Sequence, residues 1–324
     1  MSKILLLGST GYVGSAFASE LQRRNLPFYS LSRKELDYTR FELLWNHLKS
    51  NRPSFVVNAA GFTGRPNVDA CESARAETLL GNTNFPQSLA QACLVTNTPY
   101  GHVSSGCIYT GAKVLRDGQT RVEPDMTKPE LRSLIDKEAA SSNFGLKPSS
   151  IFGFNESDTP NFSFRSPPCS FYSGTKALGE EVMAGVGQGY LWRLRIPFDQ
   201  FDNPRNYISK VQNYAKVYDN VNSISHRFDF VNACLDLWLA RAPFGIYNVT
   251  NPGWITTRHV IDKIREILKP ARSFEFWTDD AEFYKFAKAP RSNCVMDPSK
   301  LLAAGVRIRS VEQALEDSLR NWTH

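Results

Sequence analysis

Residues 4–14 read Ile4-Leu5-Leu6-Leu7-Gly8-Ser9-Thr10-Gly11-Tyr12-Val13-Gly14, and this stretch decides the fold class. Four apolar residues in an unbroken run predict a short parallel strand buried on both faces. The G-x-x-G-x-x-G loop that follows lets bare backbone approach a pyrophosphate and aims a helix N-terminus at its charge. Val13, Phe17 and Leu21 then recur at helical spacing. By itself the loop is weak evidence, since three glycines after a strand also make a tight turn.

Working outward, the pattern repeats. Phe28 to Leu31 predicts a second strand, and Thr39-Arg40-Phe41-Glu42 has the capping-box form that opens a helix carrying Phe41, Leu44, Trp45 and Leu48. Phe55 to Asn58 and Tyr100 to Ser104 read as further strands, with a helix between them through Leu79, Leu89 and Cys93. Strands alternating with helices imply right-handed βαβ crossovers and a parallel sheet. From Ala112 to Ile151 the texture changes to charges, Pro124, Pro129 and Pro148, with one short helix over Glu130 to Ala140. Too few apolar residues lie there for a core of their own, so it reads as a surface insertion. Beyond it come a helix through Tyr172 to Val186 and a strand from Leu191 to Ile196. Shorter elements follow at Phe228 to Val231, Ile246 to Val249 and Arg258 to Leu268, and a last helix opens with the capping box of Ser310 and Gln313.

The residue after the second strand speaks to the cofactor. Where an NAD enzyme offers a carboxylate to the ribose hydroxyls, this chain has Ser32-Arg33-Lys34. Two cations there suit a 2′-phosphate, which favours NADP (NADPH); a solvated Arg-Lys pair is the bland alternative. Tyr172 and Lys176 stand four apart on one helix face, and an ammonium beside a phenol stabilises the phenolate and makes it a better acid-base group near neutrality. A Tyr-Lys pair by itself is commonly packing with a solvated tip. Its meaning comes from following a glycine loop and the strand end Asn58-Ala59-Ala60-Gly61.

Composition narrows the class. The 324 residues are 42% hydrophobic with a net charge of +6, which suits a globular chain and excludes disorder. Lys and Arg form no long run, which argues for a small anionic ligand over nucleic acid. Six cysteines without a C-x-x-C pair point to a reduced, cytoplasmic protein. No stretch approaches the roughly 18 apolar residues of a membrane span. The five histidines show no metal spacing, and His102, in a strand, reads as a core residue.

Taken together, the glycine loop, Asn58 to Gly61, Asn82, Ser105 and the Tyr172/Lys176 pair resemble the extended short-chain dehydrogenase/reductase superfamily. Within it the chain is similar to the dTDP-4-dehydrorhamnose reductase branch, and to the plant-type nucleotide-rhamnose synthase/epimerase-reductases. That second likeness rests on Gly64-Arg65-Pro66-Asn67-Val68-Asp69 with Cys71-Glu72, Gly106-Cys107-Ile108, Phe171-Tyr172-Ser173, Asn203-Pro204-Arg205-Asn206, Thr250-Asn251-Pro252-Gly253 and Arg291-Ser292-Asn293. The stretch 112–151 is where the chain departs from the family pattern.

The resemblance implies a catalytic set of Ser105, Tyr172 and Lys176, with Cys107 and Lys210 as an epimerase pair. A 4-ketosugar acidifies the hydrogens on both C3 and C5, and inverting those centres needs proton-transfer groups on opposite ring faces. For the cofactor it implies Gly8, Thr10, Gly11, Tyr12, Val13, Gly14, Ser32, Arg33, Lys34, Asn58, Ala59, Ala60, Gly61, Asn82, Tyr172 and Lys176. For the substrate it implies Thr63, Arg65, Asn67, Ser105, Gly106 and Cys107, with Arg205 and Arg291 as guanidinium clamps on a sugar diphosphate. Asn203 and Asn206 either read sugar hydroxyls or shape their loop. Cys107 and Lys210 also have ordinary readings, a small core hydrophobe and a surface charge.

The expectation is an α/β protein: a Rossmann-type doubly wound parallel sheet over 1–196, interrupted by the insertion at about 112–151, and a smaller C-terminal α/β substrate-binding lobe over 197–324. Its activity would be 3,5-epimerisation and NADPH-dependent 4-reduction of a nucleotide-linked 4-keto-6-deoxyhexose, with no nucleic-acid or membrane partner and a homodimer as the open assembly. The rivals are a 4-ketosugar reductase alone, and a non-catalytic NADP-binding regulatory subunit, which would have no need of the Tyr-Lys pair.

Overall fold

The computed structural model describes residues 3–139, 149–278 and 280–323. In chain order it contains β1 (Ile4–Leu7), α1 (Tyr12–Arg23), β2 (Phe28–Leu31), α2 (Phe41–Asn51), β3 (Phe55–Asn58), α3 (Arg75–Leu79), α4 (Phe85–Val95), β4 (Tyr100–Ser105), β5 (Ala112–Arg116), β6 (Gln119–Glu123), α5 (Pro129–Ala139), β7 (Ile151–Phe152), α6 (Phe171–Met183) and β8 (Gly189–Leu194). Then follow β9 (Pro197–Phe198), α7 (Tyr207–Asn213), β10 (Lys216–Val217), β11 (Val221–Asn222), β12 (Ser225–His226), α8 (Arg227–Leu239), β13 (Gly245–Asn248), β14 (Ile255–Thr256), α9 (Thr257–Ile267), β15 (Glu275–Phe276), α10 (Asp280–Tyr284), α11 (Ser299–Ala303) and α12 (Val311–Arg320).

Two compact units share the chain. The first comprises Met1–Ile108, Pro160–Arg193 and Cys234–Tyr247, the second Tyr109–Thr159, Leu194–Ala233 and Asn248–His324. The first is built on a six-stranded sheet in the order β13-β8-β4-β3-β1-β2, with β1 pairing β2 and β3 in parallel and β3 pairing β4. The unbroken apolar runs of β1 and β3 are buried throughout, as strands covered on both faces must be. One layer of its core joins Leu5, Leu7, Val56 and Leu191 to Leu44 and Leu48 of α2 and Leu89 and Cys93 of α4. The order reverses between β1 and β3, the switch point at which doubly wound sheets open a crevice for ligands.

Two local expectations fail in this unit for identifiable reasons. Thr39 does not cap α2: its hydroxyl turns to the Asp37 carboxylate at 2.6 Å, and the cap position passes to Arg40, without a side-chain bond. The single helix expected through Leu79, Leu89 and Cys93 is α3 and α4, joined by a π-helical turn over Leu80–Asn84.

The second unit overturns the reading of 112–151. The chain passes from the first unit to the second at Arg193/Leu194, close to the boundary expected at residue 196, but 234–247 returns to the first unit, and 112–151 belongs to the second unit and not to the nucleotide-binding core as an insertion. β5, β6 and β7 form an antiparallel sheet, α5 follows the hairpin, and Ala112, Val114, Met126, Leu131, Ile135 and Ile151 join one apolar cluster with Phe198, Ile208, Val260, Ile264, Val311 and Leu315. The stretch lacks apolar residues for its own core because it contributes to a shared one. Ala140 and Pro148 lie outside the described residues. The capping box of α12 forms as expected, with the Ser310 hydroxyl accepting from Gln313 N–H and the Gln313 side chain accepting from Ser310 N–H. Among the described residues no helix is long and apolar enough to cross a membrane.

Candidate active site

At the switch point of the first unit, Gly8 turns the chain out of β1 with φ +78°, and a Cβ there would stand 2.6 Å from the backbone nitrogen of Ala60. Only glycine lets the β1 and β3 ends approach so closely. A Cβ on Gly14 would come within 1.9 Å of the Gly8 carbonyl. Gly11 is the N-cap of α1 and offers no side-chain acceptor to the first turn, and a helix N-terminus of this kind favours an anionic ligand. This cradle fits a dinucleotide pyrophosphate. Asn58 is fully buried: its Oδ1 accepts from Ala60 N–H at 2.9 Å, and its amide nitrogen lies 2.9 Å from His102 Nδ1. Burial, with the nearby Lys176 charge, holds His102 well below the usual imidazole range. The neutral ring accepts the Asn58 hydrogen bond and is a core residue, as expected.

Beyond β2, Arg33 and Lys34 are exposed, free of apolar cover at the position proposed for a 2′-phosphate. Ser32 next to them is engaged: its N–H and hydroxyl both donate to Glu35 Oε2, at 2.8 and 2.6 Å. Glu35 escaped the sequence reading, although Ser32-x-x-Glu35 is itself a capping-box pattern. Asn82 lies fully buried in the π-helical turn. Its Oδ1 accepts from Phe62 N–H at 3.0 Å, and its Nδ2 donates to the Phe62 carbonyl at 2.9 Å and to Thr175 Oγ1 at 3.3 Å. The extra residue of the π turn aims this amide, which braces the loop after β3 against α6. Thr63, Arg65 and Asn67 are exposed on that loop, and Asn67 Oδ1 accepts from Asp69 N–H at 2.8 Å.

α6 is capped by Ser170, whose hydroxyl accepts from Ser173 N–H at 3.1 Å, and its start is tied by Glu72, whose carboxylate accepts from Phe171 N–H at 2.7 Å. The helix carries Tyr172 and Lys176, 8% and 4% exposed, one turn apart. Lys176 Nζ lies 3.4 Å from the Val103 carbonyl of β4, and a Cβ on Gly61 would be 3.4 Å from it. β4 ends at Ser105, and the 3-10 turn Gly106–Ile108 brings Cys107 N–H within 3.2 Å of the Ser105 hydroxyl that accepts from it. α6 packs against both β4 and this turn. Ser105, Cys107, Tyr172 and Lys176 therefore stand on neighbouring elements of one unit, beside the glycine cradle's sheet. Burial pushes Lys176 down to about 8, while the charges of Glu180 and Cys107 pull against that fall. Glu180, one turn after Lys176, accepts from Arg193 Nη2 of β8 at 2.7 Å and from Ser104 Oγ at 2.5 Å. Sequence reasoning missed this network; the four-residue spacing from Lys176 to Glu180 was its only visible sign.

The second unit holds the remaining candidates. Asn206 caps α7, its Oδ1 accepting from Ile208 N–H at 2.9 Å, and its Nδ2 donates to Asp199 and to the Phe201 carbonyl. Asp199 in turn pairs with Arg227. Asn203 Oδ1 accepts from Arg205 N–H at 2.8 Å, and Asn203 N–H donates to Ser209 at 3.0 Å. Both asparagines hold their loop through these bonds, the loop-shaping one of the two readings left open for them. Lys210 follows on α7, and burial, then the charge of Arg205, pulls its basicity down. Arg291 opens a segment held by Arg195 Nη2, which donates to the Ser292 carbonyl at 2.6 Å, and by Asn222, which donates to Asn293 Oδ1 at 3.0 Å. Among the described residues no group of three or more His, Cys, Asp or Glu could hold a metal ion.

Comparison with known proteins completes the site. A family model described as the RmlD substrate binding domain matches residues 2–131. A bifunctional dTDP-4-dehydrorhamnose 3,5-epimerase/dTDP-4-dehydrorhamnose reductase of Arabidopsis thaliana is 31% identical, over 96% of this chain and 90% of that protein. A trifunctional UDP-glucose 4,6-dehydratase/UDP-4-keto-6-deoxy-D-glucose 3,5-epimerase/UDP-4-keto-L-rhamnose-reductase of the same plant is also 31% identical, but the chain spans only 41% of its length. The crystal structure of the UDP-rhamnose synthase L780 of Acanthamoeba polyphaga mimivirus superposes with a TM-score of 0.79 at 22% identity, over 98% of this chain and 99% of that one.

Proposed function

The chain belongs to the dTDP-4-dehydrorhamnose reductase family, in the branch of the epimerase-reductases, and from that premise we propose that it epimerises a nucleotide-linked 4-keto-6-deoxyhexose at C3 and C5 and reduces it at C4. The product is a nucleotide-linked sugar of the rhamnose type. The observation that carries the reading is the grouping of Ser105, Cys107 and Tyr172 around the buried Lys176 in a unit that also carries a dinucleotide cradle.

The cradle at Gly8, Gly11 and Gly14 would hold the pyrophosphate of NADPH, Arg33 and Lys34 its 2′-phosphate, and Lys176 its nicotinamide ribose. NADPH, when bound, supplies the hydride that reduces the ketone. Tyr172 donates a proton to the C4 oxygen, Ser105 donates a hydrogen bond to the same oxygen, and the Lys176 ammonium favours the tyrosinate left behind. Cys107 and Lys210 form the proton-transfer pair of the epimerase reaction, and Arg205 and Arg291 clamp the diphosphate. Lys210 suits a proton acceptor because burial, and then the charge of Arg205, disfavours its charged form.

The decisive experiment incubates the enzyme with a 4-keto-6-deoxy sugar nucleotide in D₂O without cofactor. Deuterium entering C3 and C5, and lost in Cys107→Ala, is the expected result. No exchange in the native enzyme would reduce the activity to that of a 4-ketosugar reductase alone. Undiminished exchange in the variant would remove Cys107 from the reaction.

A further inference from the structure

Lys176 is a buried ammonium, and the Val103 carbonyl 3.4 Å from its Nζ is neutral. A buried cation persists only where another charge offsets its lost hydration. Glu180 is placed to do this: it lies one helical turn on, on the same face of α6, and is 6% exposed. It is not a mobile side chain. Arg193 Nε approaches both of its oxygens, at 3.1 and 3.0 Å, Nη2 donates to Oε2 at 2.7 Å, and the Ser104 hydroxyl donates to Oε1 at 2.5 Å. A guanidinium fork of this kind fixes a carboxylate's orientation as well as offsetting its charge. Ser104 precedes Ser105, so the same carboxylate also ties the functional end of β4 to the helix that carries Tyr172 and Lys176.

We infer that Glu180 is a positioning residue for the reduction: locked by Arg193 and Ser104, its carboxylate holds Lys176 in the ammonium form and sets the upper pH limit of the reductase step. The inference rests on the role proposed above for Lys176. The charged and titratable groups that act on Lys176 are few. Glu180 comes from its own helix, Cys107 from the 3-10 turn and His102, neutral, from β4. Arg193 of β8 acts through Glu180. Asn82 and Thr175, beside it, carry no charge, and Glu72 and Arg75 on the far flank of α6 are engaged at Phe171. Burial lowers Lys176 and Glu180 opposes that fall. Because the ammonium is the working form, activity is present below the Lys176 pKa and is lost as pH rises through it.

The test is the pH profile of kcat/KM for ketosugar-dependent NADPH oxidation in two variants of opposite charge effect. Glu180→Gln removes the supporting carboxylate and should move the alkaline limb down by roughly one pH unit. Arg193→Met releases the carboxylate from its fork and should move the limb up. A part confined to packing lowers activity in both variants with the limb unmoved, and that result, or displacement of both in the same direction, overturns the inference. Should Glu180→Gln not fold, Glu180→Asp, which withdraws the carboxylate by one methylene, is read in its place, with a smaller downward shift expected. Tyr172→Phe separates the two levels of argument. If it turns over like the native enzyme the functional reading itself falls, whereas an inactive Tyr172→Phe with unmoved limbs in the Glu180 and Arg193 variants sinks only the role of Glu180.

Discussion

Lys176 on α6 and Lys210 on α7 meet the same physical force and are given opposite neighbours. Burial disfavours the charged form of both. In the first unit a carboxylate, Glu180, stands one turn away and favours the ammonium; in the second a guanidinium, Arg205, stands nearby and disfavours it further. In the function proposed above, the two lysines are thereby suited to different work, Lys176 to acting as a cation beside Tyr172 and Lys210 to accepting a proton. Environments that push like groups apart are how acid and base roles are divided within one protein.

The contrast can be broken most sharply at Tyr172. Tyr172→Phe should lower ketosugar-dependent NADPH oxidation by about 10²- to 10⁴-fold while C3 and C5 exchange in D₂O continues, since only the α6 chemistry is touched; loss of both activities together would mean that the two lysines do not serve separate steps. The reciprocal variant, Lys210→Met, should abolish exchange and leave reduction of an already epimerised ketosugar within a few-fold of native. Leu131→Ala addresses the unit that holds Lys210: if the 112–151 stretch is part of its core, urea denaturation should show a loss of about 2 to 5 kcal/mol, whereas a surface insertion would lose almost nothing. Arg205→Met sharpens the electrostatic half of the comparison. Removing the neighbouring cation raises the Lys210 pKa, and the neutral amine is the working base, so exchange should require higher pH, its acid limb rising by about one unit. The smallest effect is expected at the 2′-phosphate: Arg33→Asp should narrow the preference for NADPH over NADH by roughly tenfold, the worth of about 1.4 kcal/mol, with no change in exchange.

Much of the first unit was legible because its signals are local. A buried parallel strand announces itself as an apolar run, and β1 and β3 match the runs read from Ile4 to Leu7 and Phe55 to Asn58. The glycine loop needed only the spacing of three residues, and the catalytic pair only one helical turn. Where the reading failed, a competitor lay outside the window. Thr39 donates to Asp37 and stands outside the cap position taken by Arg40, and Phe62 and Thr175, far along the chain, hold Asn82 in a π turn within the expected helix. For Asn206 the sequence left sugar reading and loop shaping open, because an asparagine in a polar loop carries the same letters in either role; its bonds to Asp199 and Phe201 appear only in the folded chain.

The amino-acid sequence by itself determined the sheet's central strands, the glycine loop and the Tyr172/Lys176 pair, because each depends on residues a few positions apart, and its resemblance to a family along the whole chain implied the reaction class. Tertiary structure alone decided that 112–151 shares a core with residues 198–319 and that Glu180 is locked by Arg193 and Ser104. It alone set a carboxylate against one lysine and a guanidinium against the other. Burial and charge act through space, and the distances that set their strength exist only once strands remote in sequence have been laid side by side.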